Sequence, residues 1–258
     1  MQGADAPGVV ALYLAIYGDK YPIREVYDAR YIIRQQEAGL MYRVVVVDAC
    51  EKVVAHQALY RLEETYRGLY EAGHGMVLRE YRGEGFNDVM LGYIARILIP
   101  AVGMEELWGE SVTNHVFTQK SGIKVGGKEW GIELEVMPSD SYETEQSASG
   151  RVSTVVQSIV IRDKFHTVFL PAPYEEILSK IYDTGKRKRQ LVVSAEGLPE
   201  AGNTRCTETF IAGAGVLRMT LLDAGPDADE VFASIVKKYT AEGAVVHQVF
   251  LPMDQPWV

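Results

Sequence analysis

Short blocks of alternating or helically spaced apolar residues, parted by polar turns, run through the whole chain. Residues 9–35 carry two helical patterns separated by Tyr17-Gly-Asp-Lys-Tyr-Pro22. Two β-rich runs follow, residues 43–47 and 53–59, joined by Asp48-Ala-Cys-Glu-Lys52, whose composition suits a hairpin turn. A short apolar strand, Met76, Val77 and Leu78, then leads through Arg82-Gly83-Glu84-Gly85 into another helical pattern. There Val89, Met90, Tyr93, Ile94 and Ile97 recur at the spacing of one buried helical face. Residues 107–113 read as a strand, a helix runs from about Asn114 to Gly126-Gly127, and residues 130–136 form a further strand.

The strand, glycine turn and helix start at residues 76–90 make an anion site. Unpaired amides point outward at a helix N-terminus, the helix dipole favours negative charge, and glycine lets a phosphate approach the backbone. The turn is too short for a P-loop and lacks its Lys-Ser/Thr ending, and it lacks the GxGxxG spacing of a dinucleotide fold. A pyrophosphate is expected here, bound in neither of those two ways.

Arg82-Gly83-Glu84-Gly85-Phe86-Asn87 resembles motif A of the GNAT N-acyltransferase superfamily, written Arg/Gln-x-x-Gly-x-Gly/Ala, with Asn87 departing at the last position. The element order of residues 9–138 is also that of the superfamily. The segment from Ser111 to Lys120, with Lys124-Val-Gly126, resembles an uncharacterised bacterial subgroup. The resemblance implies an α/β (α+β) fold with a mixed, mainly antiparallel sheet flanked by helices. It also implies acetyl-CoA, or another acyl-CoA, as co-substrate. Amides of Arg82, Gly83, Glu84, Gly85, Phe86 and Asn87 would hold the pyrophosphate, and the strand Met76, Val77, Leu78 would pair with the pantetheine arm and supply the oxyanion amide. Asn114 is similar to a family Asn that contacts CoA.

Residues 138–150, Pro-Ser-Asp-Ser-Tyr-Glu-Thr-Glu-Gln-Ser-Ala-Ser-Gly, are polar and without apolar periodicity, which suits a linker. The expected division is therefore a GNAT-like domain over 1–138, a linker over 139–150, and a second, smaller α/β domain over 151–258. In that second part residues 152–161, 190–194, 210–222 and 245–251 read as extended, and 174–182 and 227–242 as helical. His166-Thr-Val-Phe-Leu-Pro171 is echoed by His247-Gln-Val-Phe-Leu-Pro252, which leaves open either two similar strand ends or a degenerate GNAT-like repeat. Gly213-Ala-Gly215 precedes an extended run and not a helix, so no second CoA site is expected.

At 258 residues and 47% apolar, the chain can bury a substantial core. No apolar run approaches the ~20 residues that cross a bilayer, and no secretory signal is read at the N-terminus. Cys50 and Cys206 are too few for a disulfide framework or a four-Cys zinc site, which suits a cytoplasmic protein. The five histidines show no metal-binding spacing, so no metal is expected. The net charge of −9 argues against nucleic acid as partner, and Lys186-Arg-Lys-Arg189 reads as a solvated strand entry.

Acyl transfer to an amine needs a base for the ammonium proton, an oxyanion donor and a partner for the departing thiolate. Glu71 and His74, just before the motif A strand, are the base candidates. The usual family acid is a Tyr on the helix after the next strand, and the matching position is Gly122, so that acid is absent. His115 and Thr118 are nearby alternatives, His115 as thiolate partner, while Thr113 or Asn114 can cap the helix. Tyr13, Tyr17, Tyr21 and Tyr27 cluster in the N-terminal helical region, which commonly borders the acceptor in this superfamily. Tyr17 and Tyr21 are the candidate acceptor wall, by cation–π attraction or hydrogen bonding, with helix packing as the alternative. His56 is expected to pack inside. The expected activity is transfer of acetyl to a primary amine of a small molecule or a protein lysine, with a homodimer possible. A non-catalytic acyl-CoA sensor is the alternative.

Overall fold

The computed structural model describes residues 1–61, 68–145 and 150–258. They fall into two compact units, Met1–Arg162 and Asp163–Val258. The first is built on six strands: β1 (Met41–Val47), β2 (Val53–Tyr60), β3 (Leu69–Val77), β4 (Glu106–Val112), β5 (Lys128–Pro138) and β6 (Arg151–Val160). Their order is β1-β2-β3-β4-β6-β5, antiparallel except for β3 against β4. Successive strand residues point to opposite faces, and each face has its own core. On one side α1 (Ala6–Tyr17) and α2 (Ala29–Glu37) bury Val9, Leu12, Tyr13 and Ile32 against Val54, Met76 and Leu78. On the other, α3 (Phe86–Tyr93) buries Met90 against Val44, Ala55, Leu59 and Leu107. The sheet is mixed, mainly antiparallel and flanked by helices, as the resemblance implies. Among the described residues no helix is long and apolar enough to cross a membrane.

The β1–β2 turn forms as its composition suggests. One oxygen of Asp48 accepts from the amides of Cys50 and Lys52, at 2.8 and 3.0 Å, in the manner that makes Asp a turn former.

Two expectations change. The apolar stripe after motif A is not one buried face. Met90 and Ile94 are buried, whereas Val89, Tyr93 and Ile97 are 61%, 52% and 53% exposed. The helix packs on the sheet from one side only, so the neighbouring stripe stays in water. It continues through a π-helical segment, Ile94–Leu98, into α4 (Ile99–Val102). Pro100 gives no amide to the helix ladder and crowds the carbonyl four residues back, and a widened turn relieves both problems.

The second change concerns the domain boundary. Residues 151–160 do not open a second domain. They form β6, which pairs with β4 from Glu106↔Val160 to Val112↔Thr154 and with β5 on its other side. Residues 139–150 therefore connect two neighbouring strands, and the first unit ends at Arg162. Polar composition marks a surface connection, but it does not tell a hairpin loop from an interdomain linker. A 3₁₀ segment, Ser139–Glu145, packs against α1, with Ser141 buried and its hydroxyl donating to the Lys20 carbonyl at 3.4 Å.

The second unit holds β7 (His166–Pro171), α6 (Glu175–Asp183) and β8 (Arg189–Ser194), with β7 parallel to β8. It also holds β9 (Arg205–Ile211), β10 (Val216–Asp223), α7 (Ala228–Ala241) and β11 (Val246–Phe250), ordered β11-β10-β9. The extended run at 210–222 is two strands, broken by a turn in which Gly215 takes φ 62°. Leu217, Met219 and Ile235 make this unit's core. The echoed hexapeptides hold different places: the first is the opening strand of β7–α6–β8, and the second overlaps the closing strand of β10–α7–β11.

Candidate acyl-CoA and acceptor site

Among the described residues strands β3 and β4 pair at Leu69↔Glu106, Tyr70↔Leu107 and Glu71↔Trp108. Both strands run on beyond that pairing, to Val77 and Val112. Glu71 stands at the fork. It is 4% exposed and accepts a hydrogen bond from the Tyr60 hydroxyl. Two residues of β3, His74 and Gly75, oppose one of β2, because the register steps from Ala58↔Gly73 to His56↔Met76. This is a β-bulge, and its residue His74 takes φ 55°, a left-handed conformation in which a non-glycine is strained. The bulge places the His74 ring within the N-terminal tyrosines.

There Nδ1 of His74 meets the hydroxyls of Tyr13, at 2.6 Å, and Tyr21, at 3.1 Å. The rings of Tyr17 and Tyr21 lie 4.9 Å apart, and those of Tyr60 and His74 5.4 Å. Burial, and then the neighbouring tyrosines, hold the Tyr13 and Tyr21 phenols well above their usual pKa, so both are neutral at pH 7. Glu71 and His74, the two base candidates, thus share one cluster with Tyr17 and Tyr21. Two further members, Tyr60 and Tyr142, were not singled out in the sequence. Tyr60 lies on β2, and Tyr142 on the 3₁₀ segment, where burial raises its phenol pKa and the neighbouring Tyr17 phenol raises it further. Only their distant partners in the chain mark them. His56 packs inside, fully buried, with Nδ1 donating to the His74 carbonyl at 2.8 Å.

At the end of β3 the Leu78 amide donates to Val54 at 2.9 Å, so it is not open to a pantetheine arm. Amides alternate in direction along a strand. Val77 therefore turns its amide and carbonyl away from β2, and its carbonyl accepts from Arg82 Nε at 3.2 Å. Met76 and Leu78 contribute buried side chains instead. The turn that follows is exposed, with Gly83 at φ 91° and Gly85 at φ 78°. Among the described residues, the chain neighbours apart, no atom lies within 4 Å of where a Cβ would stand on either glycine. Open space therefore borders the backbone just where Gly85 caps α3, a fit for a phosphate group. Phe86 packs under the turn at the edge of both cores. Glu84 is exposed. Asn87, the departure from the motif, donates to the Ser121 hydroxyl at 3.0 Å and ties α3 to α5 (Phe117–Lys124). Lys124 pairs with Asp88 beside it.

The helix expected from Asn114 begins at Phe117, so Asn114 and His115 lie in the connection before it. His115 stacks near Phe117, with centroids 5.6 Å apart. Thr113 is no cap, since its amide and hydroxyl both donate to the Ser153 carbonyl at 3.0 Å. Thr118 is exposed on α5.

The second unit repeats the local topology: β9 and β10 are antiparallel, and β10 is parallel to β11 across α7, as β2, β3 and β4 are across α3. Its strand–helix turn is closed, however. A Cβ on Gly225 would meet Asp227 Oδ1 and Gly202 O, both at 2.8 Å. The Asp227 carboxylate itself receives the amide and hydroxyl of Thr204, at 2.9 and 2.8 Å. A carboxylate of the chain stands where an anion would bind.

No protein-family model matches the sequence, and no curated protein matches it. In structure the chain is similar to a ribosomal-protein-S5-alanine acetyltransferase from Vibrio fischeri. The two are 12% identical, with TM-score 0.50, over 62% of this chain and 90% of that one. It is also similar to a GNAT superfamily phosphinothricin acetyltransferase from Sinorhizobium meliloti, whose structure is a complex with AcCoA. Here identity is 14% and TM-score 0.50, over 63% of this chain and 86% of that one. The forked six-stranded sheet, its helices on both faces and these likenesses establish that this protein has the GNAT acetyltransferase fold.

Proposed function

We propose that the first unit is an acyl-CoA-dependent N-acyltransferase that moves acetyl from acetyl-CoA to a primary amine of a small molecule or a protein. The observation that carries this reading is the single strand β3. It sets a buried carboxylate, Glu71, at the fork, an imidazole, His74, just past it, and an open glycine turn at its end. Amides of Gly83 to Asn87 hold the pyrophosphate at the helix N-terminus. The thioester lies along β3 beyond Glu71, with the outward amide of Val77 as oxyanion donor.

Glu71 or His74, directly or through water, takes the ammonium proton. The amine lone pair then attacks the thioester carbon, the C–N bond forms and the C–S bond breaks. The nitrogen sheds its second proton to water, while CoA leaves as a thiolate and takes up a proton, for which His115, just past the end of β4, is the candidate donor. Calorimetry with CoA and thiol release over a panel of amines test the proposal. CoA binding with amine-dependent thiol release supports it, and absence of CoA binding sinks it.

A further inference from the structure

The acceptor side is unusually uniform in chemistry. Tyr17, Tyr21, Tyr60, His74 and Tyr142 are half-buried, beside Tyr13 and Glu71, which are 2% and 4% exposed. Ring centroids of Tyr13 and Tyr21 lie 5.0 Å apart, and those of Tyr21 and His74 5.6 Å. The 3₁₀ segment carrying Tyr142 packs against α1, and Ser141 ties it to the Lys20 carbonyl just past that helix. Neutral phenol faces attract cations, and a buried carboxylate does so more strongly. An anionic group would meet the same faces and Glu71 with the opposite sign. Arg43, whose charge reaches Tyr13, is itself buried and donates to the Ile32 carbonyl at 3.1 Å. It is not set out as the fork that receives a carboxylate.

We propose that this tyrosine and Glu71 cluster selects a primary amine without a carboxylate, a cationic arylalkyl- or alkylamine, and rejects amino acids and acidic peptide ends. The inference rests on reading this side of the sheet as the acceptor side of an acyltransferase. Tyramine and tyrosine, which differ by one carboxylate, are the probes.

Each probe is titrated calorimetrically into the protein with and without saturating CoA, and each is offered as acceptor in thiol release from acetyl-CoA. Tyramine is expected to bind at least about tenfold more tightly than tyrosine, and Glu71→Gln to remove most of that difference. Tyr142→Ala is expected to weaken tyramine roughly threefold or more, with CoA affinity unchanged, while Tyr142→Phe keeps it. Tyrosine binding as tightly as tyramine, or no binding of either amine, overturns the assignment. Tyramine binding in a protein that does not bind CoA supports the amine site and overturns the acyltransferase reading, so the two fail separately.

Discussion

Gln157 of β6 fills the space beside Gly122 of α5. A Cβ on Gly122 would collide with its side-chain oxygen, and its amide carbon would lie 3.0 Å away. Gln157 is fixed there, accepting from the Ser111 hydroxyl at 2.9 Å and donating to the Gln119 carbonyl at 3.1 Å. Gly122, the position the resemblance assigns to a tyrosine, thus has no room for a side chain beside Gln157. Gly122→Ala is expected to destabilise the protein by about 1–3 kcal/mol through overpacking, and Gly122→Tyr to destabilise it without raising the rate of thiol release. Thermal unfolding measures the first and the thiol assay the second. In a Gln157→Ala background the cost of Gly122→Ala should largely vanish.

At Gly85 the side is open but the backbone is left-handed, at φ 78°. Gly85→Ala should therefore cost about 1 kcal/mol of stability and little CoA affinity. Gly85→Glu adds a carboxylate at the proposed phosphate site and should weaken CoA more than tenfold, at least ~1.4 kcal/mol. Calorimetry separates charge from strain. Unchanged affinity in a folded Gly85→Glu protein would remove the phosphate assignment.

His56 gives the fold a pH dependence. Burial pushes its imidazole from 6.5 down to about 4, against the opposing effect of its bond to the His74 carbonyl. Between those values the unfolded chain binds more protons than the folded one, so stability falls as pH drops from about 6.5 to about 4 and is fully present above 6.5. The full loss is about 3 kcal/mol. Urea unfolding at pH 7 and pH 4.5 should show it, and His56→Gln should flatten the difference.

The Asp227 carboxylate sits below its usual pKa, chiefly through the Thr204 amide and hydroxyl. Asp227→Ala is expected to lower the unfolding temperature of the second unit and to leave CoA binding at one per chain with unchanged affinity. A second CoA bound per chain by the unaltered protein would contradict the closed turn.

Glu71→Gln and His74→Gln divide the base between the two candidates. The residue that takes the ammonium proton should, on substitution, lower kcat by roughly 10²–10⁴-fold and abolish the acidic limb of its pH profile, with CoA affinity retained. The other should change KM for the amine more than kcat.

The sequence by itself determined what neighbouring residues decide. β-rich composition gave β1 and β2, the Asp48 turn followed from its own side chain, and Gly83 and Gly85 announced a backbone conformation that other residues resist. The glycine turn and the α/β class were legible because strand, turn and helix start there are contiguous. Tertiary structure alone decided everything set by pairing across distance. The 151–160 run is apolar enough for any strand, and only its ladders to β4 and β5 make it the strand between them. Spacing that suits a buried face put Val89, Tyr93 and Ile97 with Met90, yet only one layer exists to cover them. Tyr60 and Tyr142 join His74 and Glu71 through the sheet and the 3₁₀ segment, and Gln157 excludes a side chain at Gly122. Each is a contact between residues many positions apart, for which local pattern carries no signal.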